Sequence, residues 1–244
     1  MTAGSAARPL AGRWALVTGA SRGIGAELAR RLAADGARVA LVARGRDALD
    51  TLARELGDAA VAVPCDVGDA DAVARAAAHL AELTHGAPDI LVNNAGVFAI
   101  APVRDTSVDD FRRTLDVNLT APFALAHAFL PAMLARRSGH LVTVGSIADR
   151  ATFPGNSAYA ASKHGLRALH EVLRAELRGT GVRATLVSPG PVDTELWDPI
   201  DPDNRPGFTP RARMLSAAAV ADAIRWVLLA PPDVNVDELR LSST

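Results

Sequence analysis

A tyrosine and a lysine four positions apart form the pair in this sequence best suited to proton transfer. Tyr159 and Lys163 lie in a segment of helical periodicity, so both side chains leave one helix face with Cβ atoms roughly 6 Å apart. An ammonium group at that distance favours the phenolate form of a phenol, whose ordinary pKa is about 10. Lowering that pKa to about 7 requires roughly 4 kcal/mol, more than one exposed ion pair supplies. The pair predicts a general acid and base where water is excluded, and otherwise an ordinary exposed helix pair.

Two further polar residues are candidates for the same centre. Ser146 follows a predicted strand, at the carboxyl end where open α/β sheets bind ligands, and its hydroxyl can bond a carbonyl oxygen. Its alternative interpretation is a turn serine. Asn118 lies in an apolar helical segment, where a buried amide needs partners, so it predicts a contact with backbone or water. An exposed helix position is the alternative for Asn118.

A glycine-rich loop between the first predicted strand and the first predicted helix is a candidate phosphate site. Its sequence, from Thr18 to Gly25, is TGASRGIG. Glycines let a pyrophosphate approach the backbone, and the N–H groups at a helix N-terminus bind it. The residues expected to contact a dinucleotide here are Gly19, Ser21, Arg22, Gly23, Ile24 and Gly25. A plain strand-to-helix turn remains the alternative, although placement in the first strand–helix unit favours the dinucleotide.

The end of the second predicted strand indicates which dinucleotide would bind. It carries Arg44 and Arg46 and lacks the acidic residue that would bind a ribose 2′-hydroxyl. Guanidinium groups stay ionised and form paired hydrogen bonds with phosphate, so Arg44, with Arg22 from the loop, favours a 2′-phosphate. The sequence predicts NADP(H) over NAD(H), with solvated surface arginines as the alternative.

The ends of the third and fourth predicted strands supply the remaining candidate cofactor contacts. Asp66, followed by Val67, can accept a hydrogen bond from an adenine amine, or it can cap the helix that begins near Asp69. Asn93, Ala95 and Gly96 belong to an Asn-Asn-Ala-Gly run whose small residues let the backbone lie against a cofactor. An ordinary turn is the alternative for that run.

The elements that must position these residues alternate between strand-length apolar runs and longer helical segments. Strands are predicted at 14–18, 38–42, 60–64, 90–93, 140–144, 183–188 and 234–241. Helices are predicted at 24–35, 46–56, 69–83, 108–136, 158–180 and 217–229. This alternation predicts an α/β fold with a doubly wound parallel sheet of about seven strands and helices on both faces, the Rossmann arrangement. We expect residues 10–244 to form one domain and residues 1–9 to be a flexible N-terminus. Residues 194–215, which contain an Asp/Pro-rich run, are a candidate substrate lid.

Composition narrows the class of protein. The chain has 244 residues, a formal net charge of −1 and no run of basic residues, which argues against nucleic acid or an anionic membrane as a partner. No stretch of about 20 uncharged apolar residues predicts a membrane span. Cys65 is the only cysteine and is expected to be a small core residue in a cytoplasmic protein. The six histidines lack paired ligand spacing and are expected to be scattered on the surface, so no metal site is predicted.

Together these motifs resemble the short-chain dehydrogenase/reductase family from about Leu10 to Leu229. The family's motifs are matched by the glycine loop, the Asn-Asn-Ala-Gly run, Asn118, Ser146, Tyr159 and Lys163. A Pro-Gly pair with a following threonine is matched by Pro189, Gly190 and Thr194. The resemblance implies a soluble NADP(H)-dependent oxidoreductase that interconverts a carbonyl and a secondary alcohol, and a homotetramer or homodimer built on the two long helices.

The resemblance also implies roles. Tyr159 is the general acid in reduction, and Ser146 orients the substrate oxygen. Lys163 binds the nicotinamide ribose and supports the phenolate, and Asn118 holds a proton-relay water. Backbone contacts to the nicotinamide are implied at Pro189, Gly190, Val192 and Thr194.

The C-terminal sequence points to one branch of possible substrates. It lacks the glycine-rich final segment common in family members that reduce 3-oxoacyl thioesters on acyl carrier protein. It is more similar to the branch that acts on 3-hydroxy acids, serine-like compounds and small ketones. The lid arginines Arg205, Arg211 and Arg213 can bind a carboxylate, with solvated loop charges as the alternative. A 3-oxoacyl-[acyl-carrier-protein] reductase and a non-catalytic NADP-binding sensor are the alternative functions, and a sensor predicts loss of a catalytic residue.

Overall fold

The computed structural model describes residues 8–244, so residues 1–7 of the predicted flexible N-terminus lie outside the described residues. A parallel sheet forms the centre of the domain. Its strands are β1 (Trp14–Thr18), β2 (Arg38–Ala43), β3 (Ala60–Pro64), β4 (Ile90–Asn93), β5 (Gly139–Val144), β6 (Val182–Pro189) and, at the chain end, Glu238–Leu241. Most are continuous Val, Leu, Ile and Ala runs buried on both faces, as parallel sheets require. The predicted fold is confirmed.

Helices cover both faces of this sheet. They are α1 (Gly23–Ala34), α2 (Arg46–Leu56), α3 (Ala70–Leu83), α4 (Val108–Leu115), α5 (Ala121–Ala135), α6 (Ser157–Glu176) and α7 (Ala217–Leu228). Leu28 of α1 and Val220 of α7 belong to the apolar core on one face. Leu80 of α3 and Phe129 of α5 belong to the core on the other face. α1, α3 and α7 each bury an apolar stripe, which fixes these helices against the sheet.

The strand order determines where a ligand binds. A short ribbon pairs β7 (Val192–Asp193) with β8 (Leu215–Ser216), and the last strand is β9 (Glu238–Leu241). In the main sheet the order is β3-β2-β1-β4-β5-β6-β9. The chain progresses outward in one direction from β1 to β3 and in the other from β4, so the crossover reverses between β1 and β4. Open α/β sheets bind ligands at the carboxyl ends of the strands beside such a reversal.

The long helix predicted over 108–136 is interrupted in its middle. Residues Asp116–Thr120 form a π-helical turn between α4 and α5. Such turns insert one extra residue and are frequent at functional sites, because they re-aim the side chains they contain. This one contains Asn118.

The same helical run is apolar enough to warrant comparison with a membrane span. Val108–Ala135 contains a window of 18 residues with a mean hydropathy of 1.4, long and apolar enough for a spanning helix, although no such segment was predicted. Its apolar residues Leu125, Phe129 and Met133 are buried in the domain core. We therefore describe it as a core helix of the domain.

Two sequence predictions are wrong in detail. The last strand begins at Glu238, not at 234, because the Asn235 side chain replaces backbone pairing by bonding both the N–H and the carbonyl of Ala184. His140 and His170 are buried rather than on the surface. His140 bonds Thr185, His170 bonds Thr143, and burial lowers their pKa values to about 3 and about 4. Cys65 is buried, as predicted.

Candidate active site

A single cleft collects most of the predicted site residues at the carboxyl ends of the strands. Its cavity volume is about 770 Å³, within the range of sites for small molecules and cofactors. The predicted residues that line it are Gly19, Ser21, Arg22, Gly23, Ile24, Arg44, Asp66, Val67, Ala95, Gly96, Ser146, Tyr159, Lys163, Pro189, Gly190, Val192 and Thr194. Gly25, Asn93 and Asn118 do not line the cleft and act from behind its wall.

The glycine loop has the geometry of a phosphate cradle. Gly19 and Gly23 have φ of +68° and +55°, the left-handed region that glycine adopts at little cost. Gly25 is buried at the start of α1, and a Cβ there would lie 2.2 Å from the Gly19 carbonyl oxygen. The first turn of α1 contains no acidic residue, so its free N–H groups remain available to an anion. The loop fits a dinucleotide pyrophosphate.

Two arginines line the cleft, Arg22 within this loop and Arg44 directly after β2. Arg22 and Arg44 are exposed and line the cleft. Within residues 8–244 neither forms an ion pair, so both guanidinium groups can turn toward a phosphate. Arg46, by contrast, does not line the cleft. The fit to a 2′-phosphate therefore rests on Arg44 and Arg22.

Asp66 has a partner that the sequence did not reveal. Arg113 of α4 donates from one nitrogen to both carboxylate oxygens at 2.7 and 2.8 Å, and the Gly68 N–H donates at 3.0 Å. Partial burial acts to raise the pKa of Asp66, but these hydrogen bonds outweigh it and the pKa lies below its ordinary value. The cap of α3 is Asp69, not Asp66. Asp66 is therefore an ionised acceptor on the cleft wall.

The Asn-Asn-Ala-Gly run is tied to the glycine loop. The N–H groups of Asn94 and Ala95 both donate to the Thr18 hydroxyl at 2.9 Å, and the Asn94 side chain donates to the Thr18 carbonyl at 2.8 Å. Asn93 instead points into the core, with its amide nitrogen 3.5 Å from the Pro122 carbonyl. Asn94, which sequence reasoning did not select, fixes the two loops to each other.

Asn118 is fully buried and every polar atom of its side chain is used. Its oxygen accepts from the Val97 N–H at 2.9 Å, and its nitrogen donates to the Val97 carbonyl and to the Ser162 hydroxyl, each at 3.0 Å. The predicted backbone contact is present, and the exposed alternative is wrong. Asn118 holds the segment that follows Gly96 against α6.

Ser146, Tyr159 and Lys163 meet at the end of β5. The Ser146 hydroxyl accepts from the Ala148 N–H at 3.1 Å, and Ser146 and Tyr159 line the same cleft. Lys163 is buried, and its ammonium donates to the Val144 carbonyl at 2.9 Å. The ammonium nitrogen lies 5.6 Å from the centroid of the Tyr159 ring. The first turns of α6 thus bring the Tyr159 phenol and the Lys163 ammonium to the end of β5, where Ser146 lies.

The acidity of the pair differs from what its spacing predicts. Burial raises the pKa of Tyr159 to about 12, with the Ser146 hydrogen bond acting in the opposite direction and the charge of Asp149 adding to the rise. Burial lowers the pKa of Lys163 to about 8, and Asp149 opposes that shift. Burial of the phenol thus outweighs the attraction between its phenolate form and the Lys163 ammonium.

A buried carboxylate lies behind this centre. Asp149 is fully buried, accepts a hydrogen bond from the Ser188 hydroxyl at 2.5 Å, and is 3.2 Å from Arg150. Arg150 also pairs with Glu238 of β9 at 2.6 Å. Sequence reasoning missed Asp149, whose hydroxyl partner is 39 positions away.

Asn156 is another residue that sequence reasoning missed. It is 2% exposed and lines the cleft one turn before Tyr159. Neither of its amide atoms has a hydrogen-bond partner among the described residues, and it does not cap α6. Leaving such groups unpaired costs about 1–3 kcal/mol each, so the Asn156 side chain adds no hydrogen bond to the stability of the described residues.

Aromatic side chains form the wall opposite the phosphate loop. The Phe98 ring centroid lies 4.7 Å from that of Tyr159 and 5.1 Å from that of Trp197. The Trp197 ring is in turn 6.3 Å from Phe208, and its indole N–H donates to the Val192 carbonyl at 3.0 Å. Trp197 belongs to the segment 194–215, whose two ends are joined by the pairing of β7 with β8.

Comparison with known proteins agrees with this geometry. The profile of the short chain dehydrogenase family matches residues 13–205. An uncharacterized oxidoreductase of Staphylococcus aureus strain N315 is 34% identical over 226 residues, which are 92% of this chain and 94% of that protein. The chain belongs to the short-chain dehydrogenase/reductase family, and is accordingly an oxidoreductase acting on CH–OH groups.

Two further similarities add detail. Dehydrogenase/reductase SDR family member 7B of Rattus norvegicus is 40% identical over 190 residues, 74% of this chain, and the match spans 58% of that protein's length. A metagenomic short-chain oxidoreductase crystallised in complex with NADP is 33% identical, has a TM-score of 0.83, and is matched over 97% of this chain and 99% of its own.

Proposed function

We propose that this protein catalyses the NADP(H)-dependent interconversion of a carbonyl compound and a secondary alcohol, with Tyr159 as the general acid in reduction. The observation that carries the proposal is the meeting of Ser146, Tyr159 and Lys163 in the same cleft as a glycine phosphate cradle. A sensor that had lost catalysis would not need all three of these groups. The proposal covers reaction class and cofactor.

Each residue of the centre has a distinct task. The Ser146 hydroxyl donates a hydrogen bond to the substrate oxygen and so holds the carbonyl beside Tyr159. Tyr159 gives its proton to that oxygen as it becomes an alkoxide. The buried ammonium of Lys163 stabilises the phenolate left behind, because low dielectric strengthens the attraction between the two charges. The nicotinamide supplies the hydride, and its oxidised, positively charged form further favours the phenolate.

Asn118 supports the centre from outside the cleft. Its amide is fully used by Val97 and Ser162, so its contribution is to fix the strand-end loop on which Val97 and Phe98 lie. The proton-relay water assigned to Asn118 by family resemblance stays a prediction. We also propose backbone contacts to the nicotinamide from residues that line the cleft on the β6 side, namely Pro189, Gly190, Val192 and Thr194.

The preference for NADP(H) over NAD(H) is supported by charge. Arg44 and Arg22 line the far end of the cleft as free cations within the described part of the chain, and the solved metagenomic relative was crystallised with NADP. A 2′-phosphate would give these guanidinium groups the partner that they lack, through charge-assisted hydrogen bonds.

The proposal extends to assembly and location. A homotetramer or homodimer is supported by the exposed apolar residues Phe123 of α5 and Val172 of α6, on the two long helices. Leu125 and Phe129, by contrast, belong to the core. A cytoplasmic location is supported by the single, buried Cys65. A 3-oxoacyl-[acyl-carrier-protein] reductase is the alternative activity.

Oxidation of NADPH and NADH, followed by absorbance, tests the proposed function. The panel consists of ketones, aldehydes, 3-oxo acids and 3-oxoacyl thioesters, with Tyr159→Phe as the blank. We expect turnover with NADPH that is lost in the variant. Tight NADPH binding without turnover of any carbonyl compound would favour the sensor instead, and turnover confined to the thioesters would favour the alternative reductase.

A further inference from the structure

The arginines that line the cleft all lie at one end. Of the described residues that line it, the arginines Arg22, Arg44 and Arg113 all lie at the glycine-loop and Asp66 end. The catalytic end has one lining cation, Lys163, and its ammonium is held by the Val144 carbonyl beneath the Tyr159 ring. No cation at this end is therefore left for a charged group of the substrate.

Negative charge is present at the same end. Asp149 is fully buried behind Ser146, and a Cβ placed on Gly145 would lie 3.0 Å from its carboxylate. The charge of Asp149 acts on the catalytic residues, since it raises the pKa of both Tyr159 and Lys163. A carboxylate brought to Tyr159 would lose water and meet repulsion.

The arginines near the lid do not alter this balance. Arg211 pairs with Asp193 at 2.8 Å and Asp198 at 2.6 Å and also donates to the Thr194 carbonyl. Arg205 lies over the Phe208 ring at 5.1 Å, and Arg213 does not line the cleft. Arg150 is engaged by Asp149 and Glu238. The expectation that a lid arginine binds a carboxylate thus finds no free guanidinium at the cleft.

Flat apolar surface occupies the position where such a cation would be needed. The Phe98 and Trp197 rings meet edge to face next to Tyr159, and the Val192 carbonyl fixes the orientation of the indole. Aromatic walls of this kind favour planar apolar groups, which they contact in offset or edge-to-face arrangements. The lining chains Val97, Phe153 and Leu196 extend the apolar character of this end.

We propose that the substrate is an uncharged ketone or aldehyde bearing an aromatic ring that packs on Phe98 and Trp197, and that carbonyl compounds with a carboxylate near the reacting carbon are discriminated against. This inference rests on the proposed function and defines the substrate class of the same site. It departs from the 3-hydroxy acids and serine-like compounds suggested by the C-terminal sequence.

Three ketones separate charge from shape. With saturating NADPH, kcat/KM is measured for 4-phenylbutan-2-one, for ethyl 4-oxopentanoate and for 4-oxopentanoate at neutral pH. The last two share the 4-oxopentanoyl skeleton and differ in charge and in one ethyl group, so we expect the ester to be preferred over the carboxylate by about 100-fold, the fold-change that corresponds to a buried polar group without a partner. We expect the phenyl ketone to exceed the ester by about 10-fold, the upper worth of an aromatic contact.

Paired tryptophan variants locate the effect. Trp197→Leu should lower kcat/KM for 4-phenylbutan-2-one by about 10-fold and leave ethyl 4-oxopentanoate within about threefold. Trp226→Leu is the matched control, since Trp226 is 61% exposed on α7 and does not line the cleft. It should change neither value.

The outcomes separate this inference from the proposed function. Turnover of 4-oxopentanoate at a rate equal to or above that of its ester would overturn the inference, while Tyr159-dependent NADPH oxidation would still uphold the proposed function. An equal loss on the phenyl ketone and the ester in Trp197→Leu would overturn the aromatic contact. Absence of Tyr159-dependent turnover with any ketone or aldehyde, these three and the earlier panel included, would overturn both.

Discussion

The two ends of the cleft are built on opposite physical principles. At the catalytic end the polar groups other than Asn156 are buried and held: Lys163 by a carbonyl, Asn118 by three hydrogen bonds, and Asp149 by a hydroxyl and a guanidinium. At the other end Arg22 and Arg44 are exposed and, within the described residues, unpaired. One end is held by hydrogen bonds within the protein, and the other offers exposed charge.

The difference follows from what each end must do. Proton and hydride transfer depend on fixed distances and low dielectric, which preorganised groups supply. Holding a phosphate needs charge at the right end of the cleft, and an exposed arginine provides it without the desolvation that burial would cost. Substitutions at the two ends should therefore differ in kind, with effects on rate and stability at one and on cofactor preference at the other.

The largest expected effect is at Tyr159. Removing its hydroxyl in Tyr159→Phe deletes the general acid, so kcat should fall by at least about 10³-fold. The apolar ring contact with Phe98 remains, so stability should be unchanged. Measured by stopped-flow absorbance and fluorescence titration, kcat should collapse while the NADPH dissociation constant stays within about threefold. A variant that retains a tenth of the activity would remove Tyr159 from its assigned role.

Next in size is a contrast between two asparagines of the catalytic end. Asn118→Ala would leave the Val97 N–H and carbonyl without partners, which should lower the free energy of unfolding by about 3 kcal/mol. Asn156→Ala removes an amide that already lacks partners, so the change should stay within about 1 kcal/mol.

Urea denaturation followed by circular dichroism, at one protein concentration, measures both values. Equal losses in the two variants would mean that Asn156 also has a structural partner, and would contradict the assignment of a held and an unheld amide.

Most of the fold could be predicted from the sequence. The limits of β1, β3 and β4 match their predictions, because each strand is an apolar run bounded by turn or helix signals. β9 was predicted four residues too long, since no local pattern shows that the Asn235 side chain pairs with Ala184. The π-helical turn at Asn118 likewise leaves no periodic signal within an otherwise helical pattern.

The residues of the candidate active site could be predicted only where a short sequence motif contains them. Ser146, Tyr159 and Lys163 lie in such motifs, and the structure brings them together. Arg113 and Asp149 act through partners 47 and 39 positions away, a separation that one sequence cannot resolve. The buried state of Lys163, which decides the sign of its pKa shift, is also a property of packing alone.

At the exposed end, the expected effect is a change of cofactor preference. Arg44→Asp replaces a cation at the cleft by an anion, which should repel a 2′-phosphate and shift the ratio of kcat/KM for NADPH and NADH toward NADH by about 10- to 100-fold. Arg46→Asp is the matched control, as Arg46 does not line the cleft, and should shift the ratio by less than about threefold. Equal shifts would indicate a general effect of surface charge.

The last expected effect is a pH limb from Lys163. Its pKa of about 8 means that the ammonium is intact below that pH and is lost above it. Because kcat/KM for NADPH reports the free enzyme, it should fall about 10-fold per pH unit above pH 8 in the direction of reduction. Lys163→Arg keeps its charge throughout and should lack this limb. A wild-type profile that stays flat to pH 10 would contradict the buried-ammonium account.

The most direct test of the central claim follows the hydride itself. NADPH carrying deuterium at C4, on one face or the other, is supplied with a turned-over ketone, and the alcohol is analysed by mass spectrometry. The account predicts one deuterium on the carbinol carbon with one of the two labelled cofactors, and no product above background in Tyr159→Phe. Product without deuterium from either cofactor, or labelled product formed equally well by the variant, would contradict it.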